Sequence, residues 1–228
     1  MRFGIVVFPG SNCDLDCRNV IERIIGGEVS MIAHQEEKLP YVDILILPGG
    51  FSYGDYLRAG AIASTSPIMK AVGVFAKEGG KILGICNGFQ ILTEAGLLPG
   101  TLLRNISMKF ICKSVYVTIQ NNKTFFTSRY KPNEVIEIPI AHGEGNYYID
   151  EKGLAALKEN NQIVLRYCDQ MGIVSDAANP NGSMEHIAGI CNKEGNIMGM
   201  MPHPERVSDP VLGGSDGVKL FLSLLENR

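Results

Sequence analysis

The residues of this chain best able to do chemistry are one cysteine, two histidines and the carboxylates beside those histidines. Cys86 lies in Gly84-Ile85-Cys86-Asn87-Gly88, between an apolar run and a helical pattern. A nucleophile at a strand-to-helix turn needs a sharp bend, and small residues at −2 and +2 let the backbone close around it. A free thiol with a pKa near 8.5 is only about 3% thiolate at pH 7. The positive end of the following helix and a nearby histidinium both lower that pKa. The same helix start offers the Asn87 N–H to an oxyanion. The competing reading is a buried cysteine in a glycine-rich turn.

A base must accompany the thiol, and the histidines are His34, His142, His186 and His203. Two carry a carboxylate two residues on, in His142-Gly143-Glu144 and His203-Pro204-Glu205. In an extended segment such residues share a face, so the glutamate can hold one ring nitrogen while the other meets the thiol. Pro202 and Pro204 stiffen the second segment, and the glycine-flanked first one lacks that support. Spacing favours His203 and leaves His142 open. His34 and His186 fall inside apparent strands and read as structural.

Pro48-Gly49-Gly50-Phe51 follows a predicted strand at the sheet edge where Cys86 lies, the edge where open α/β sheets bind ligands. Glycine permits close approach of a backbone N–H, so Gly50 or Phe51 is the candidate second oxyanion donor. An ordinary turn is the alternative. Gly213-Gly214-Ser215-Asp216-Gly217 precedes the last helical pattern and reads as a capping turn rather than a phosphate cradle. Neither a P-loop nor a dinucleotide fingerprint occurs, so no cofactor is expected in this chain and no use of ATP by it.

The elements that must position these groups alternate in type. Apolar runs at Phe3–Phe8, Glu28–His34, Val42–Leu47 and Lys81–Ile85 predict strands. Helical patterns fall between them, with a Cys17, Val20, Ile21, Ile24, Ile25 stripe capped by Asn12 or Asp14, then Pro67–Glu78 and Gly88–Ala95. Strands separated by helices imply right-handed crossovers and a parallel sheet covered on both faces. Beyond residue 111 strands dominate, at Ile111–Ile119, Val135–Ala141, Ile163–Tyr167, His186–Cys191 and Ile197–Met201. Short helices are expected at Leu154–Asn160 and Gly217–Asn227, the last with Val218, Phe221, Leu222 and Leu225 on its stripe. The expectation is one α/β domain over residues 1–228 with a strand-rich second half.

Composition bounds the rest. At 228 residues with 45% hydrophobic residues, the folded chain should expose on the order of 10,000 Å² and bury about 70% of its surface. No disulfide or structural metal is then required. A net charge of −3 lacks the basic footprint of a nucleic-acid binder. No apolar run approaches the ~20 residues of a membrane span, and the amino terminus lacks a signal-peptide core. The chain reads as cytoplasmic, with reduced thiols. Cys13, Cys17, Cys112, Cys168 and Cys191 read as small buried side chains, and Cys13 with Cys17 finds no second pair to complete a metal site.

On Gly84-Ile85-Cys86-Asn87-Gly88-Phe89-Gln90 and Pro202-His203-Pro204-Glu205, the chain resembles the class I (triad) glutamine amidotransferases. Three longer segments sharpen the likeness: Gly49–Gly60, Pro139–Gly145 and Asn179–Ser183. They resemble the glutaminase subunits of phosphoribosylformylglycinamidine synthase, and the similarity runs from Phe3 to the last helix. The resemblance implies a flavodoxin-like amidotransferase fold, with Cys86 as nucleophile, His203 as base and Glu205 as its orienter. It also implies that Gly50, Phe51, Asn87, Gln90, Arg104, Ala141 and His142 surround L-glutamine. The partners it implies are a synthetase subunit that uses ATP and magnesium, and a small bridging subunit. A peptidase or chaperone of the related superfamily would share the elbow but not the late His-Pro-Glu motif. A non-enzymatic relative would be expected to lose Cys86 or His203.

Overall fold

A strand that is apolar along its whole length must be covered on both faces, and the strand formed by Ile44-Leu45-Ile46-Leu47 is completely buried. In the computed structural model, which describes residues 1–226, β1 (Arg2–Val7) pairs in parallel with β2 (Glu28–Ala33) and β3 (Ile44–Leu47). β4 (Lys81–Ile85) runs parallel to β3 on its other side. β5 (Thr101–Leu103) and β8 (Asn146–Tyr148) form a separate two-stranded sheet. The other strands are β6 (Ile111–Ile119), β7 (Val135–His142), β9 (Ile163–Cys168), β10 (Ile187–Cys191) and β11 (Ile197–Met200).

The main sheet has the order β2-β1-β3-β4-β11-β10-β9-β6-β7. β11 joins β4 in parallel, whereas β10, β9, β6 and β7 follow in antiparallel register. The strand-rich second half therefore extends a flavodoxin-like parallel sheet, and its chain returns through β11 beside the strand that ends at Cys86. Helices α1 (Asp14–Asn19), α2 (Ile68–Lys77), α3 (Asn87–Glu94), α4 (Glu151–Glu159) and α5 (Val218–Ser223) complete the chain.

Several expectations shift for physical reasons. Asn12 does not cap α1; Cys13 occupies the cap position with no side-chain bond, and Asp14 lies in the first turn. The helix continues as a π-helical turn at Val20–Ile24. The wider turn rotates later residues off the buried stripe, which leaves Ile24 exposed. α4 begins three residues before the expected Leu154, because the Asp150 carboxylate accepts the Gly153 N–H at 2.7 Å. His34 and His186 lie just outside β2 and β10 rather than inside strands. α5 buries Leu220 and Phe221, with Leu224 buried just beyond it; of the expected stripe Phe221 is buried, and Val218, Leu222 and Leu225 are half-buried. Its last helical residue is Ser223, and the expected end at Asn227 lies outside the described residues. Cys112 is exposed, near the start of β6 where that strand pairs with β7 alone. No cysteine among the described residues is in a disulfide.

Candidate active site

β4 ends directly into Cys86, which adopts φ 50°, ψ −104° before α3 begins at Asn87. That conformation is strained for a residue with a Cβ, and its surroundings enforce it. The Cys86 N–H donates to the Met200 carbonyl at 2.7 Å. A Cβ on Gly84 would lie 2.8 Å from the Gly88 backbone, and one on Gly88 would lie 1.9 Å from the Leu47 carbonyl oxygen. The two glycines thus touch each other and the neighbouring strand, the packing their spacing predicts for a nucleophile elbow.

His203 arrives from the other half of the sheet. It follows β11 and precedes the tight turn Pro204–Val207, and its N–H donates to the Pro139 carbonyl of β7 at 2.9 Å. The ring is buried, and its Nδ1 lies 2.6 Å from Glu205 Oε1. A carboxylate at Nδ1 fixes the tautomer with the proton there, leaving Nε2 as the basic atom. Nε2 has no hydrogen-bond partner among the described residues. The Cys86 thiol is near enough for its charge to act on the ring. Burial alone would depress the imidazole pKa; the Glu205 carboxylate, reinforced by Cys86 and Cys13, outweighs it and holds His203 well above the usual histidine range.

The rival pair separates. His142 is buried with Nδ1 3.0 Å from Asn105 Oδ1, and burial, aided by the charge of His203, lowers its pKa to about 4. Glu144 does not orient it. One Glu144 oxygen accepts the Ala59 N–H at 3.0 Å and the other lies 3.9 Å from Arg104. Glu144 therefore braces the loop after Gly50, and Asn105 has taken the orienting role that spacing offered to Glu144.

Around the thiol, the Ala141 carbonyl lies 3.7 Å from Cys86 Sγ. Asn87 accepts the Ser52 N–H at 3.2 Å and donates to Gln90 at 2.9 Å, and Gln90 donates to the Glu144 carbonyl at 2.6 Å. This chain of amides ties the Gly50 loop, α3 and the segment after β7 together. Gly50 has φ 148°, and a Cβ there would lie 2.7 Å from the Gly10 carbonyl. Phe51 turns outward, its ring tilted 33° to that of Phe110 at 5.9 Å. Arg104 is largely exposed. Of the residues singled out from sequence, Cys86 contacts Ala141 and acts on the buried His203–Glu205 pair, and Asn87 and Gln90 are bonded to each other beside it. Phe51 and Arg104 lie at the rim.

Two neighbours of the site escaped the sequence. Cys13 is buried with its sulfur 3.8 Å from His203 Nδ1, and Arg206 donates to that sulfur at 3.1 Å. The available signal was position, since Cys13 follows β1 and so sits at the same sheet edge as Cys86. Ligand atoms of Cys13, His203 and Glu205 lie within 4.8 Å of one another, but Nδ1 and Oε1 are bonded together and the guanidinium opposes a cation. Burial raises the thiols of Cys168 and Cys191 to about 11 and that of Cys17 well above its usual value, as inert core cysteines require. Asp216 accepts the Glu137 N–H at 2.8 Å, and a Cβ on Gly217 would lie 2.1 Å from the Pro204 carbonyl. The glycine-rich turn thus packs against the His203 segment.

Residues 1–214 match the family of CobB/CobQ-like glutamine amidotransferase domains. The chain is 56% identical to phosphoribosylformylglycinamidine synthase subunit PurQ of Moorella thermoacetica, over 99% of this chain and 96% of the relative. It is 54% identical to the subunit of the same name from Trichormus variabilis, over 99% and 97% of the two chains. A chain in the structure of PurLQS from Thermotoga maritima superimposes with a TM-score of 0.87 and 47% identity, covering 98% of this chain and 97% of that one. The glutaminase domain of Trypanosoma brucei CTPS, solved with bound acivicin, has a TM-score of 0.62 at 13% identity and shares the fold, covering 100% and 95%.

Proposed function

The chain belongs to the CobB/CobQ-like glutamine amidotransferase family, and we propose that it is the glutaminase subunit of a phosphoribosylformylglycinamidine synthase, acting in purine biosynthesis. The observation that carries this reading is the buried His203–Glu205 pair beside an elbow cysteine, in a chain more than half identical to PurQ subunits along its length.

Cys86 is the nucleophile. Its thiolate, formed as the proton passes to His203 Nε2, attacks the side-chain amide carbon of L-glutamine. The Asn87 N–H and an N–H of the Gly50 loop take the negative charge of the tetrahedral intermediate. The imidazolium returns its proton to the departing nitrogen, releasing ammonia and leaving a glutamyl thioester. His203 then removes a proton from water, which displaces the thiolate and releases glutamate. Glu205 stays bonded at Nδ1 throughout, holding the ring and balancing its transient charge. Ala141, Gln90, His142, Phe51 and Arg104 border the glutamine.

Ammonia passes to a synthetase subunit, where ATP and magnesium drive its addition to formylglycinamide ribonucleotide. A small third subunit bridges the two, in the cytoplasm, and the whole chain serves as one amidotransferase domain. The partner reading draws on the PurLQS neighbour. The test is reconstitution with the synthetase. Cys86→Ala should abolish synthesis from glutamine and leave synthesis from added ammonium largely intact. A glutamine-dependent rate within tenfold of the parent would overturn the assignment.

A further inference from the structure

The His203–Glu205 pair is less secured than its short bond suggests. Glu205 Oε2 is buried with no hydrogen-bond partner among the described residues, so one bond to Nδ1 and the surrounding charges locate the pair. The imidazole touches a wall built from another part of the chain. A Cβ on Gly49 would lie 2.7 Å from His203 Cε1 and 3.1 Å from Cys13 Sγ, so ring, sulfur and Gly49 share one contact. The Cys13 N–H donates to the Gly49 carbonyl at 3.2 Å. The thiol itself points toward Asn12 Oδ1 at 3.5 Å, while its sulfur accepts from Arg206 Nη2 at 3.1 Å. Arg206 is anchored in turn, its Nε 3.8 Å from an Asp16 carboxylate oxygen.

We propose that Cys13 is a positioning residue for the amidotransferase reaction, its sulfur standing between the Arg206 guanidinium and His203 Nδ1 as a shared acceptor. The inference rests on the reading of Cys86 as nucleophile and His203 as base. When Cys86 loses its proton, the imidazole becomes a buried cation in the neighbourhood of a permanent guanidinium. A polarisable sulfur accepting from one and facing the other separates the two charges. It also walls the ring on its Nδ1 side, beside the Gly49 backbone and the Glu205 bond. The other ionisable groups around the ring are Glu205 on its own turn, Cys86 at the start of α3, His142 on β7 and Asp16 on α1. Cys13 itself contacts both Nδ1 and the guanidinium.

Removing the sulfur should lower the affinity of the imidazole for a proton and so raise the pH at which Cys86 becomes thiolate. The experiment follows alkylation of Cys86 by iodoacetamide against pH in the assembled complex, read as mass gain on the Cys86 peptide. In Cys13→Ala the acid limb should move up by about one pH unit, a tenfold loss of thiolate at a given pH below it. Glutaminase kcat should fall roughly tenfold with KM unchanged, the signature of a transition-state effect. Cys13→Ser, which keeps an acceptor, should fall between Ala and the parent. Should Cys13→Ala not fold, Cys13→Val fills the space without a comparable acceptor and should show the same shift. An unmoved limb in a folded Ala or Val variant overturns the proposal and leaves Cys13 a packing residue. Alkylation does not require glutamine to be the substrate, so this failure is distinct from failure of the glutaminase reading, which Cys86→Ala tests.

Discussion

The Phe51 N–H donates to the Gly10 carbonyl at 2.9 Å, a bond that favours Gly50 over Phe51 as the oxyanion donor we propose. Phe51 has already placed its hydrogen on the loop that follows β1. Gly50, one residue earlier, makes no such backbone bond among the described residues and has a backbone that only glycine adopts without strain.

Gly50→Ala is therefore expected to lower glutaminase kcat by ~10²–10³, the loss typical of one oxyanion donor. The added methyl meets the Gly10 carbonyl, so the loop must move and carry the N–H with it. Turnover in the assembled complex, with melting temperature as a folding control, checks this. A folded variant within threefold of the parent would place the donor elsewhere.

His203→Ala should reduce kcat by at least ~10³, because no other group takes the thiol proton. Glu205→Gln should cost less, since the imidazole remains and loses only its orienting charge. His142→Ala should act mainly on KM, because a ring whose pKa is near 4 is neutral at working pH and bonded to Asn105. The reverse pattern of kcat losses would make His142 the base.

How much of this was legible in the sequence follows from range. The elbow was readable because Gly84 and Gly88 bracket Cys86 within five residues, and their steric contact is local. His203 and Glu205 were readable as a pair, but choosing them over His142 and Glu144 from spacing alone was not. That choice depends on Asn105 and Ala59, which capture the second pair's polar groups from distant segments. Cys13 looked like core because its partners lie 190 and 193 positions away. β5 and β8 have three residues each, too few for a period-two pattern to stand out. The π-helical turn after α1 leaves no compositional mark, so helical spacing places Ile24 on a face it does not occupy.

Asp55 supplies a pH prediction. It has φ 54°, and burial, with the Glu144 charge beside it, raises its pKa from 3.8 to about 6. Between those values the unfolded chain has lost this proton while the folded one keeps it. The folded state then binds more protons, and stability falls as pH rises through that window. Asp55→Asn removes the penalty and suits the left-handed backbone. The melting temperature of the variant relative to the parent should thus climb from pH 4 to pH 7. A difference that stays flat across the range would show that burial does not hold the Asp55 proton.

The rim offers a docking test. The Phe51–Phe110 contact joins two segments that carry exposed apolar side chains: Tyr56 and Leu57 on one, Ile106 and Met108 on the other. Such side chains gathered in a patch mark an interaction surface. Leu57→Asp with Ile106→Asp should weaken association with the synthetase at least tenfold while leaving the melting temperature near the parent's. Unchanged association by calorimetry would move the interface to another face.

Coupling to the partner is the last prediction, and it follows from how the oxyanion loop is held. The Asn12 and Cys13 amides reach the Gly49 carbonyl at 3.4 and 3.2 Å, the long end of the hydrogen-bond range. Glycines at 49 and 50 also let the peptide rotate with little steric cost. The Gly49–Gly50 peptide, loosely held in a loop that Phe51 and Tyr53 anchor just beyond it, is a two-state element that a docked partner can bias. Since one oxyanion donor is worth ~10²–10³ in kcat, rotation of the Gly50 peptide alone is enough to switch the site. The isolated chain should accordingly be a poor glutaminase. The synthetase should raise its turnover, and adding nucleotide and acceptor substrate should raise it further. Turnover measured in those three states checks the coupling. Equal rates in all three would mean that the oxyanion hole is already formed in the free chain, and that control of ammonia release resides in the synthetase.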